Sequence, residues 1–129
     1  MGCDIHAFVE YSDRKNSEFS YWSEFADLQL SRRYEYFAAI AGVRNTSETR
    51  PLVEPRGIPE DCKVDLEHWL HEDDGLHHHG YLSYEEVCSA FEHAKIDLDK
   101  LNPDWMAMLS AMKVLSQTKI VRIVFAFDN

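Results

Sequence analysis

The sequence is short of the features that mark membrane, secreted and nucleotide-binding proteins. It contains no run of about 18 apolar residues and no cationic leader followed by an apolar stretch, so it predicts neither a membrane span nor a signal peptide. It has no phosphate-binding P-loop, no dinucleotide-binding glycine pattern and no recognisable nucleophilic triad. Its function must therefore be sought in less common patterns.

Cysteine is scarce. Cys3, Cys62 and Cys88 are odd in number and far apart, and no two of them form a Cys-x-x-Cys pair. This usage predicts small thiols, buried or partly buried, in a reducing cytoplasm. It also disfavours a zinc site built from cysteine.

Basic residues are also scarce: the chain has 13 lysines and arginines and 23 aspartates and glutamates, which gives a net charge of −10. This balance disfavours binding to a nucleic-acid backbone, which selects basic surfaces. Between Glu54 and Asp74, eight acids accompany only Arg56 and Lys63, which gives the segment a charge of −6. The segment is interpreted as a solvated acidic face, a cation-binding rim, or a surface that competes with nucleic acid for a basic partner.

The first dozen residues alternate between apolar and polar side chains. Cys3, Ile5, Ala7, Val9 and Tyr11 share one face of the predicted strand, which belongs in a core. The other face places Asp4 beside His6, with Glu10 further along. Side chains at i and i+2 of a strand point the same way, close enough to converge on one metal ion or one substrate group. The alternative is an edge strand whose polar face is merely hydrated.

The remaining periodicity predicts an α+β fold in a single domain over residues 1–129. A helix is expected from Arg32 to Ala41, capped by Ser31 and ended by Gly42. The other expected elements are a strand over 19–28, a short helix over 64–71, a helix opened by the Ser83–Glu86 capping box, a helix starting at Asn102-Pro103, and a strand over 119–127.

The closing strand is apolar on both faces, which predicts a central position in a small antiparallel or mixed sheet. The N-terminal strand is expected beside it, with three or four helices covering one side of the sheet. Arg122 interrupts the second face of this strand and requires a carboxylate partner or a pocket.

Two stretches between these elements carry possible chemistry. Residues 43–59 show no periodicity, and arginines on such a loop, Arg44 and Arg56 among them, can clamp a phosphate or a carboxylate. Solvated loop charge is the commoner use of such residues. Further on, three consecutive histidines follow a run of acids that ends at Asp74, and histidine-rich tracts are weak metal signals. In an extended chain His77 and His79 share one face.

Several motifs resemble a family of short, functionally uncharacterised proteins encoded by bacteriophages and prophages. They are the opening Met1-Gly2-Cys3-Asp4-Ile5-His6, the turn at 56–61, the segment from His77 to Glu86, and the closing run from Val121 to Asn129. The resemblance covers most of the chain and implies a viral setting, in the cytoplasm of an infected bacterium. It places a histidine near His77 and implies no particular activity.

Two classes of function follow. In the first, the protein is a metal-dependent hydrolase or nuclease-like enzyme acting on a phosphoester or nucleotide, with Zn²⁺, Mn²⁺, Fe²⁺ or Ni²⁺ as its ion. The metal ligands would be Asp4, His6, His77 and His79, and the catalytic residues Glu10 or Asp74 as general base and Arg44 or Arg56 as anion clamp. In the second, it is a non-catalytic phage protein that binds a host or defence protein, or sequesters a nucleotide signal.

Overall fold

The computed structural model describes residues 2–13, 22–46, 48–61, 69 and 74–129 of the chain. Within them lie four β-strands and three α-helices. The strands are β1 (Asp4–Ser12), β2 (Ser23–Leu30), β3 (His77–Ser83) and β4 (Ile120–Asp128). The helices are α1 (Tyr34–Ala41), α2 (Tyr84–His93) and α3 (Pro103–Ser116), with a 3₁₀ turn at Leu98–Lys100. The short helix predicted over 64–71 falls almost wholly outside the described residues.

The described strands form one antiparallel sheet in the order β2-β1-β4-β3. The prediction that the first and last strands are neighbours, with the last one central, is confirmed. Each residue of β1 pairs with one of β4 without interruption, from Asp4 opposite Asp128 to Ser12 opposite Ile120. This register brings the beginning of the chain against its end.

The helices pack against one face of the sheet, as predicted from the alternation of β1. The apolar side chains of β1 and β4 on that face are buried together with those of the three helices, around Tyr36, Phe91 and Trp105. Burial of this kind contributes about 25 cal/mol per Å² of apolar surface, so this layer dominates the stability. On the opposite face Phe8, Val124 and Ala126 are also buried; they form a second cluster with Leu76, and the ring of Trp69 meets Phe8 edge-on.

Helix boundaries follow the capping signals with one exception. Gly42 ends α1 in the left-handed conformation, at φ +70°, and Ser83 and Glu86 form the predicted capping box at α2. The expected cap at Ser31 is wrong, because α1 begins at Tyr34. The amide and hydroxyl of Ser31 instead donate to the Asp104 carboxylate at the start of α3, over 2.6 and 2.7 Å. A charged acceptor competes effectively for both donors.

No helix among the described residues is long and apolar enough to cross a membrane.

Candidate functional site at the end of the sheet

Three of the segments singled out by the sequence meet at one end of the sheet. Asp4 at the start of β1 lies opposite Asp128 at the end of β4, and His77 at the start of β3 lies opposite Phe127. The antiparallel register alone brings these segments together, because the start of one strand lies beside the end of its neighbour at each end of the sheet. We call this group the sheet-end cluster; its members are Asp4, His6, His77, Asp128 and Asn129.

His6 is held by a carboxylate from the far end of the chain. Its Nε2 lies 2.6 Å from Asp128 Oδ2, and its side chain is 19% exposed against 41% for Asp128. The ring of Trp69 meets the imidazole edge-on, with 5.8 Å between the centroids. A carboxylate bonded to one imidazole nitrogen fixes the orientation of the ring and leaves the other nitrogen for a second partner. The sequence identified His6, and the predicted pairing of the first and last strands places Asp128 near it, but no local pattern marks Asp128 as its partner.

The carboxylate of Asp4 forms an ion pair within the fold. Arg32, just before α1, donates from Nε to Asp4 Oδ1 over 2.8 Å, and this hydrogen bond lowers the pKa of Asp4. The guanidinium also lies where a Cβ on Gly2 would stand, so a larger residue at position 2 would have to displace the Arg32 side chain. No periodicity in the sequence marks Arg32 as this partner, because the contact joins a strand start to a loop.

The three histidines do not alternate as an extended chain would. His78 has φ +53°, and the pairing of β3 with β4 carries an extra residue between His77 and Gly80. This bulge places His77 and His79 at inequivalent positions, so the expectation that they share a face is wrong. His77 stacks on Phe127, with 6.2 Å between the ring centroids, and its Nε2 lies 2.8 Å from Asn129 Oδ1.

The ligand set proposed from the sequence does not form a ready-made metal centre. Among residues 2–13, 22–46, 48–61, 69 and 74–129, no group of three or more histidine, cysteine, aspartate or glutamate side chains is arranged to hold a metal ion. Asp4 binds Arg32, His6 binds Asp128, and His77 binds Asn129. These donors do not fit a common ion as they stand, and a divalent metal remains a hypothesis.

Glu10, proposed as a general base, lies in a buried ion pair. Arg122 is its direct partner across the β1–β4 ladder, and Arg122 Nε donates to Glu10 Oε1 over 2.8 Å. The glutamate side chain is 0% exposed and the arginine 8%. Burial raises the pKa of Glu10, while the charge and hydrogen bond of Arg122 lower it. The prediction that Arg122 needs a carboxylate is confirmed, and Glu10 has no route to solvent from which to serve a substrate.

Arg122 also anchors two loops. Its Nη1 donates to Asp61 Oδ1 over 2.8 Å, and the ring of Trp22 lies 3.8 Å from the guanidinium carbon. Trp22 Nε1 donates to the second oxygen of Asp61, also over 2.8 Å. The Nη2 of Arg122 and the Oε2 of Glu10 are buried and have no hydrogen-bond partner among the residues that the structure describes. The polar centre of the sheet face opposite the helices is therefore a structural network around Arg122.

The two loop arginines have different surroundings. Arg56 forms a bidentate pair with Glu86, over 2.7 and 2.5 Å, and donates to the carbonyl of Tyr81 over 3.1 Å. This pair raises the pKa of Arg56 and lowers that of Glu86. Arg56 thus ties the loop to β3 and α2. Arg44 is exposed, with its guanidinium carbon 5.8 Å from the centroid of the Tyr34 ring.

Two other proposed residues lie close to β3. Asp74 is exposed in the turn that precedes this strand, and His79 is half-buried within it. A pocket opens beside the strand between loop residues 51–56 and the bulge, and it is lined by His78, His79 and Tyr81 among mainly apolar neighbours. Burial lowers the pKa of His78, and the neighbouring histidines act in the same direction. The sheet-end cluster and this pocket are therefore adjacent along β3, on either side of the bulge.

Comparisons with known proteins identify no relative. No protein-family profile matches the chain, and neither a curated protein nor a solved structure matches it. Function is therefore inferred from the contacts, burial and charge of the described residues.

Proposed function

We propose that this protein is a non-catalytic, acidic accessory protein that acts by binding another protein, and that it does so in the cytoplasm of a bacterium infected by a phage. One observation carries the proposal. Three of the proposed site residues, Asp4, Glu10 and Arg56, are engaged by partners within the fold, in the pairs Asp4–Arg32, Glu10–Arg122 and Arg56–Glu86. Such pairs hold loops and strands in place and offer a substrate neither a free base nor a free cation.

The charge of the chain supports the same conclusion. A net charge of −10 on 129 residues attracts a basic partner over several ångströms of solvent and speeds their encounter. The acids Glu24, Asp27, Glu54 and Glu92 are all exposed, so the excess is available at the surface. Binding of this type weakens as salt screens the charges.

A metal-dependent hydrolase acting on a phosphoester or nucleotide is the second candidate. It is favoured by the meeting of three distinctive segments in the sheet-end cluster and by the bond between His6 and Asp128. Carboxylate–imidazole pairs of this kind commonly orient histidines that bind metals. His6 would bind Zn²⁺, Mn²⁺, Fe²⁺ or Ni²⁺ through the ring nitrogen that is not bonded to Asp128. His77 would have to exchange a partner for the ion, because its two ring nitrogens contact His78 and Asn129.

One set of measurements separates the two candidates. Protein purified without an affinity histidine tag and treated with chelator is heated with and without saturating Zn²⁺ or Mn²⁺, then assayed on bis-p-nitrophenyl phosphate. Because an ion that binds only the folded state must stabilise it, the binding-protein proposal expects no rise in melting temperature and no turnover. A rise in melting temperature together with turnover, both lost in His6→Ala and Asp128→Ala, would establish the hydrolase instead.

A further inference from the structure

We propose that the outer edge of β2 is the docking site for a β-strand of the partner protein, and that this strand carries basic residues at positions i and i+2. The inference rests on the proposed binding function and specifies where and how the partner is recognised. It is argued from the exposure of β2, from its composition and from its register against β1.

β2 is the terminal strand of the sheet and pairs only with β1 among the described strands. Five of its eight residues are exposed, Phe25 to 52%. The other terminal strand is partly covered, since Arg56 binds the carbonyl of Tyr81 and loop residues 51–56 lie beside it. β2 therefore presents the more accessible row of backbone donors and acceptors for strand addition.

The composition of β2 does not block such pairing in the usual ways. Natural edge strands are protected by lysine, proline, inward-pointing charge or a β-bulge. β2, with the sequence SEFADLQL, contains no lysine, arginine or proline, and its bulge is confined to Phe25, so residues 26–30 pair regularly with β1. Its charged residues are Glu24 and Asp27, and neither forms an ion pair within the described part of the chain. Within the described part of the chain, the outer edge of β2 is therefore unpaired, and its charged side chains are both acidic.

A bulge sets the spacing of the two acids. Val9 pairs with Ala26 and Glu10 with Glu24, so Phe25 is the extra residue on β2. Glu24 pairs with Glu10 and Asp27 with Phe8, which lie two residues apart on β1. The side chains of Glu24 and Asp27 therefore lie on the same face of the sheet, whereas without the bulge they would lie on opposite faces. Two positions on a strand span about 6.6 Å. A partner strand with basic side chains at i and i+2 matches this spacing.

Charge disfavours the register in which a second copy of the chain would pair about the middle of this edge. In an antiparallel pair centred between Phe25 and Ala26, Glu24 of one copy would lie opposite Asp27 of the other. Like charges directly opposite each other destabilise a pair of strands. A basic strand of a different protein instead gains an opposite charge at each position, and the bulged Phe25 offers an exposed apolar contact at the end of the regular stretch.

Nuclear magnetic resonance titrations with three peptides test the proposal. The first is a short strand-forming peptide with lysines at i and i+2, the second has them at i and i+3, and the third replaces them with glutamates. We expect the first to shift the backbone amides of residues 24–30 and to bind about two- to fivefold more tightly than the second, since moving one lysine to the other face removes one cross-strand charge pair. The third should not bind.

Matched variants locate the site. Glu24→Lys/Asp27→Lys should abolish binding of the first peptide, whereas Glu54→Lys/Glu92→Lys, which changes the net charge equally on exposed residues away from β2, should keep most of it. If lysine peptides bind with no preference for spacing and both double variants weaken them equally, the β2 site is overturned while acidic protein binding stands. If no lysine peptide binds even at low salt, the binding function is overturned as well.

Discussion

The buried pair between Glu10 and Arg122 makes the sharpest forecast about stability. Replacing Arg122 by methionine removes the partner of a carboxylate that is 0% exposed. Breaking a buried pair from one side costs about 3–5 kcal/mol, because the remaining charge is left without compensation. We expect Arg122→Met to lower the free energy of unfolding by about this amount at neutral pH. Asp61→Asn removes only the partner that is 44% exposed and should cost about 0.2–1 kcal/mol.

The same substitution has a definite pH dependence. Burial raises the pKa of Glu10 and Arg122 opposes the rise, so without the arginine the folded-state pKa of Glu10 rises further. A carboxyl with a raised folded-state pKa stabilises the fold at pH values below its unfolded-state pKa, and this contribution is lost as the pH rises through the folded-state value. The deficit of Arg122→Met should therefore shrink as the pH falls towards ~4.3, where glutamate ionises in an unfolded chain.

Urea unfolding followed by far-ultraviolet circular dichroism measures these differences. Tryptophan fluorescence is less suitable because the ring of Trp22 stacks on Arg122 and changes environment in the variant itself. The double variant Glu10→Gln/Arg122→Met removes the orphaned charge, so it should be more stable than Arg122→Met at neutral pH. A loss below about 1 kcal/mol for Arg122→Met, or a loss that does not change with pH, would refute the account of Glu10 as a buried charge.

Three further predictions concern other parts of the fold. Ile5→Ala should lower the free energy of unfolding by about 2–5 kcal/mol, measured by chemical denaturation in the presence of chelator. His6→Ala, on the opposite face, should cost well under half of that in the same assay, and equal losses would make His6 a structural residue. Ser83→Ala should cost about 1 kcal/mol through loss of the capping box, with Ser83→Thr as the conservative control in the same assay. Gly80→Ala would place a Cβ 2.6 Å from Phe125 Cζ, so we expect it to lower the free energy of unfolding by about 1–3 kcal/mol. The double variant Gly80→Ala/Phe125→Leu should recover part of that loss, and an unchanged thermal midpoint for the single variant would contradict the close packing.

Much of the fold was predictable because it follows from local patterns. The alternation in the first dozen residues gave the buried face of β1, and the two-sided apolar run gave a central β4. The requirement of Arg122 for a carboxylate also followed from chemistry alone. In each case the determining interaction is between a side chain and its general environment, apolar or aqueous, which composition and periodicity record.

The site was less predictable because its geometry depends on specific long-range partners. Arg32 reaches Asp4 across 28 positions and Asp128 reaches His6 across 122, and no local pattern encodes either choice. The histidine run illustrates the limit within a single strand. Its alternation fails at His78 because the register with β4 demands an extra residue there, and register is a property of two strands together.

The pairing of the first strand with the last determines when this protein can fold. His6 and Asp128 are 122 positions apart, so β1 leaves the ribosome long before its central partner has been translated. Until then the apolar face of β1 has no β4 beside it, and only local units such as the capped helix α2 can form. Closing so long a loop costs entropy before the β1–β4 contacts form to compensate for it, which slows folding and leaves strand edges exposed to aggregation. A chain cut short within β4 would therefore lose the centre of the sheet as well as its last residues.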